Sequence, residues 1–86
     1  DKLSIFPNPI IEEMNVRYFL DEESDTRVEI TDVTGRIVYS LNTGRQSEGE
    51  HEIKLTRSEA MLPSGIYIFK LIGSTNTQSR KIIIED

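Results

Sequence analysis

Apolar and polar residues alternate along this chain in short runs broken by turn signals, the pattern of antiparallel strands with one wet face. No segment sustains a helical period. Leu3 to Phe6 reads as a first short strand, stopped by Pro7-Asn8-Pro9, where two prolines remove backbone donors and force the chain away from a sheet edge. From Met14 to Leu20 the alternation is clean, with Met14, Val16, Tyr18 and Leu20 on one face and Phe19 the exception. Asp21 to Asp25 is polar and acidic, which predicts an exposed loop. Val28 to Leu41 carries two β-branched runs around Asp32-Val33-Thr34-Gly35, the strongest hairpin signal present, because Gly35 accepts a positive φ and Asp32 can bond turn amides.

Thr43 to Gly49 reads as a second polar connection, and His51, Ile53 and Leu55 then alternate with Glu50, Glu52 and Lys54 as a half-buried strand. Arg57 to Met61 suits a single helical turn before Leu62-Pro63-Ser64-Gly65. Gly65 to Ile72 is apolar on both faces, which predicts a central strand. After Gly73 to Asn76, a last strand from Thr77 to Glu85 holds Ile82, Ile83 and Ile84, so a regular pleat must turn at least one of them away from the core. Seven strands at this spacing predict an all-β fold, a seven-stranded antiparallel immunoglobulin-like β-sandwich, without the Cys and Trp signature of antibody domains.

At 86 residues the chain is expected to form a single domain, 1–86, with one two-layer core and no deep pocket. It opens on Asp1-Lys2 with strand residues close behind, which reads as a module of a longer protein. A net charge of −5 opposes binding to nucleic acid or an anionic lipid surface, both of which need clustered cations. No apolar run is long enough to cross a bilayer, so no direct membrane insertion is expected. Cysteine is absent, which removes disulfides and thiolate metal sites.

For catalysis the inventory is thin. His51 is the only histidine, and Glu12 and Glu13 are adjacent with no sign of a cleft between them. The acidic loop lacks calcium-loop spacing and a glycine for the tight turn. No enzyme, catalytic residue, metal site or cofactor is therefore expected.

Four segments in order carry a resemblance: FPNPI at 6–10, VEITDVTGRIVYSL at 28–41, LPSGIYIFKL at 62–71 and SRKIIIE at 79–85. Together they resemble the C-terminal sorting domain (type A) of the type IX secretion system of Bacteroidetes, over essentially the whole chain. Phe6 stands where that family often has Tyr, and the tail ends Glu85-Asp86 where a terminal Lys is common. The resemblance implies a signal read by the outer-membrane translocon, with the cargo passing through the periplasm to the cell surface or medium. It also implies a sortase-like peptidase that cuts at or upstream of Asp1 and attaches the cargo to the surface.

Candidate recognition residues are Gly35 and Arg36 in the hairpin and Lys81, Ile82, Ile83 and Ile84 in the last strand. That strand could offer both an edge and apolar anchors for β-strand addition, and could pair weakly with a second copy. Each has a plain structural reading too, since a hairpin needs a positive φ whatever its function; Arg36 is the freer of the pair. Pro7, Asn8, Pro9, Asp32, Pro63, Gly65 and Tyr67 read as motif residues that shape the fold. The alternative function is an accessory immunoglobulin-like or fibronectin-type spacer, or a carbohydrate-associated module of a secreted enzyme, which an exposed aromatic row would favour.

Overall fold

The computed structural model describes residues 3–86. Among them the chain runs β1 (Leu3–Phe6), β2 (Glu13–Leu20), β3 (Ser24–Asp32), β4 (Ile37–Gln46), β5 (Gly49–Thr56), α1 (Arg57–Ala60), β6 (Gly65–Ile72) and β7 (Thr77–Ile84). The strands form two antiparallel sheets, β1-β2-β5 and β4-β3-β6-β7, stacked as a β-sandwich. This is the predicted fold class.

Alternation places one side chain in two between the sheets. Met14, Val16, Tyr18 and Leu20 of β2 face Val28 and Ile30 of β3, Tyr67, Phe69 and Leu71 of β6 and Ile82 and Ile84 of β7 across one core. Phe19, the exception in the pattern, is exposed on the opposite face of β2. Tyr18 is buried to its hydroxyl, which donates to Gln46, and burial raises its pKa above 10.0. β6 is an inner strand between β3 and β7, as its composition predicts. Its second apolar face, however, is uncovered: Ile66 remains 47% exposed.

Two predicted loops are shorter than expected. Ser24 and Asp25 already belong to β3, and Thr43 to Gln46 continue β4, so only Asp21–Glu23 and Ser47–Glu48 connect strands there. The polar residues are held by partners rather than by burial of apolar surface. Thr26 and Thr43 share a hydroxyl hydrogen bond, Arg45 reaches Glu23 at 3.1 Å and Asp25 at 3.4 Å, and Ser24 Oγ accepts from Ser74 N at 2.8 Å. A hydrophobic period is blind to such pairing.

The predicted helical turn is α1. Its N-terminus is closed by a reciprocal cap in which Thr56 Oγ1 accepts from Glu59 N at 3.0 Å and the Glu59 carboxylate accepts from Thr56 N at 3.1 Å. Met61 ends it in the left-handed region at φ 54°.

Candidate functional site

The hairpin between β3 and β4 is built around one carboxylate. Asp32 Oδ1 accepts from Thr34 N at 2.9 Å, Thr34 Oγ1 at 2.6 Å and Arg36 N at 3.1 Å, while Gly35 N donates to Asp32 O at 3.0 Å. Gly35 sits at φ 91° with nothing where a Cβ would stand, so glycine is needed there for backbone conformation and not for space. The Arg36 guanidinium lies 3.4 Å from Asp32 Oδ2 with its side chain otherwise in solvent.

The Thr34 hydroxyl above all, with the Thr34 and Arg36 amides and the Arg36 charge, lowers the Asp32 pKa below 3.8. A carboxylate with a depressed folded-state pKa stabilises the fold above its unfolded-state value, and that contribution is lost as pH falls through the folded-state value. The turn should therefore stay closed down to pH 3.8 and loosen below it. An NMR titration of the Thr34 and Arg36 amides checks this; a midpoint at or above 3.8 would contradict it.

Next to this turn lies the approach to β6. Tyr67 is in the core and its hydroxyl donates to Pro63 O at 2.7 Å, tying the start of the strand to the preceding loop. Gly65 takes φ 154° at the strand's first residue. Asp32, Arg36, Ile37, Val38, Met61, Pro63 and Tyr67 line a shallow groove at this end of the sandwich. Two sequence motifs separated along the chain thus meet in space, with Met61 and Ile37 exposed on the groove's rim.

In β7 the three isoleucines divide as a pleat demands. Ile82 and Ile84 are buried in the core, while Lys81 and Ile83 point to the outer face. The turn at Gly35 and Arg36 lies at the same end of the four-stranded sheet as Ile82 to Ile84, but β3 and β6 separate it from β7. The structure does not join these two sets of candidate residues into one patch.

The edge of β7 is also not free where strand addition was expected. Asn8 Oδ1 accepts from Ile83 N at 3.0 Å and Asn8 Nδ2 donates to Lys81 O at 3.4 Å, so one side-chain amide takes the place of a neighbouring strand. Ile10 continues the seal, donating to Ile83 O at 2.7 Å and accepting from Glu85 N at 2.8 Å. Pro7 and Pro9, both preceded by cis peptide bonds, flank the asparagine. The chain leaves β1 as predicted and closes β7 on its way to β2. The Lys81 carbonyl and the Ile83 amide and carbonyl, which strand addition at Lys81–Ile84 would use, are thus already bonded within the chain.

Sequence reasoning missed Arg57, read only as part of a connector. Its guanidinium donates to Leu62 O at 2.9 Å, Ile11 O at 3.4 Å and Glu85 O at 3.3 Å, and it pairs with the Asp86 carboxylate. The capping pattern Thr56-Glu59 around it was legible; the four partners were not, since three lie far along the chain.

His51 stacks on Tyr18 with ring centroids 5.5 Å apart, and its Nε2 donates to Ser47 O at 2.7 Å. Among the described residues, no group of three or more His, Cys, Asp or Glu side chains could hold a metal ion. No helix among them is long and apolar enough to cross a membrane.

The secretion system C-terminal sorting domain family matches residues 4–85. No curated protein matches the chain. The match takes in all four segments quoted from the sequence and every strand apart from the first residue of β1. The chain belongs to the secretion system C-terminal sorting domain family, a family of type IX export signals and not of enzymes.

Proposed function

We propose that this sandwich is the C-terminal module, as one domain, of a longer secreted protein and that the outer-membrane translocon of the type IX system reads it in its folded state. The cargo ahead of it passes from the periplasm to the surface or medium. A sortase-like peptidase then cuts at or upstream of Asp1. The observation that carries this reading is the family match over residues 4–85, nearly the whole sandwich. Recognition of a folded module fits the way the ends of the chain are locked together by Asn8, Ile10 and Arg57.

The test is a fusion of residues 1–86 to the C-terminus of a periplasmic reporter with its own signal peptide, in a bacterium carrying the type IX system. The intact fusion should reach the surface or medium, and the same fusion should stay periplasmic in a strain whose translocon is disabled. A fusion ending at Gln78 should also stay periplasmic, since it lacks the core residues Ile82 and Ile84. Mass spectrometry of the exported reporter should find its new C-terminus at or before the residue preceding Lys2. Export that does not depend on the translocon would sink the reading and leave a spacer module as the better one.

A further inference from the structure

The outer face of the β6–β7 pair is unlike the rest of this acidic chain. β6 and β7 contain no Asp or Glu, in a protein with 15 such residues. Their outward positions carry Ile66, Ile68, Ile72 and Ile83 with Lys70 and Lys81, and the uncharged Thr77 and Ser79. Ile66 stands opposite Ile83 and Ile68 opposite Lys81, so Ile66, Ile68 and Ile83 form one contiguous apolar group, bordered by Lys81 across the pair and by Lys70 along β6, while Ile72 lies beyond Lys70 opposite Thr77. None of the four belongs to the core cluster or packs against it. Nor does either lysine form an ion pair among the described residues: Glu29, the register partner of Lys70 on β3, is instead 3.0 Å from Arg27. The two lysines contribute +2 to a net −5, so the remainder of the chain carries −7.

A contiguous apolar strip on the solvent face of a sheet costs free energy unless something covers it. Its lysines oppose the sign of the whole molecule, which points to a partner of negative potential. A second copy of this chain is a poor occupant, since bringing two such faces together also brings lysine onto lysine.

We infer that the outer face of β6 and β7, centred on Ile66, Ile68 and Ile83 with Lys70 and Lys81, is a docking face for a folded protein surface that presents apolar side chains bordered by carboxylates. The inference rests on the proposed export function and names the face by which the module is read. It places the contact on the sheet's face, away from the end of the β7 edge where Asn8 and Ile10 bond Lys81 and Ile83.

The test uses the same reporter fusion. Lys70→Glu and Lys81→Glu should each lower the exported fraction about five-fold, and Ile66→Ser with Ile83→Ser about ten-fold. Lys54→Glu changes net charge equally but lies on the exposed face of β5, and it should export like the parent. Circular dichroism and thermal unfolding of each purified domain establish that the fold is kept. If the parent fusion is exported and the folded β6–β7 variants are exported equally well, the docking face is wrong while the export function stands. Failure of the parent fusion to be exported removes both. A domain that sediments as a dimer, and as a monomer once Ile66 and Ile83 are serine, assigns the face to self-association and overturns the inference.

Discussion

Replacing Phe69 by alanine should destabilise the domain by about 3–5 kcal/mol, the range for truncating a fully buried aromatic. Phe69 has no solvent exposure and sits on an inner strand, paired with Ile30 of β3 on one side and Arg80 of β7 on the other. The sheet packed opposite has only three strands to close over the gap, so little relaxation is available. Small domains are stable by about 5–15 kcal/mol in total, so this one change removes a large share of the margin. Urea unfolding followed by circular dichroism should show a lower midpoint with the slope preserved. Ile66→Ala, three residues away on the opposite face of the same strand, should shift the midpoint far less. Equal effects at the two positions would contradict the assignment of the faces of β6.

Replacing Arg57 by alanine should cost about 2–3 kcal/mol, the scale for hydrogen bonds that involve a charged group and leave partly covered acceptors unpaired. The side chain is only 19% exposed, and it links three separate parts of the chain: Ile11 after the proline segment, Leu62 after α1, and Glu85 after β7. Most of the effect belongs to the carbonyl partners, because Asp86 is largely exposed and an ion pair in water is worth little. Lysine should restore only a fraction, since an ammonium cannot reach in several directions as the planar guanidinium fork does. Hydrogen exchange supplies a local readout: the Glu85 amide, bonded to Ile10 O, should lose protection in the alanine variant. Full rescue by lysine, or unchanged exchange at Glu85, would show that Arg57 does not clamp the chain's end.

The strands were legible wherever an apolar residue recurred at every second position. β2 and β6 emerge with nearly their observed bounds, and the Asp32–Gly35 turn is announced by residues whose conformational preference is local. Legibility fails where a strand is held by polar side chains. Thr43 to Gln46 look like a connection because Thr26 and Asp25 of β3 and Glu23 just before it, which hold them, lie far away in sequence. The candidate recognition residues divide in the same way. That Ile82 to Ile84 cannot all be buried follows from the pleat, but Asn8 as the cap of β7 is separated from Ile83 by 75 residues, and nothing local to either position announces the pairing.

Sequence by itself determined the fold class, the hairpin turn, the inner position of β6 and the family to which the chain belongs, because these rest on period, turn chemistry and motif order. Tertiary structure alone decided which face of the β6–β7 pair is covered and that Asn8 and Ile10 bridge the end of the β7 edge at Ile83. It also decided that the segment after β1 and the residues after β7 meet at Arg57. The physical reason is that a two-residue period tells that neighbouring side chains point oppositely, but only the packing of the second sheet and the path of the connecting chain select which side loses its water.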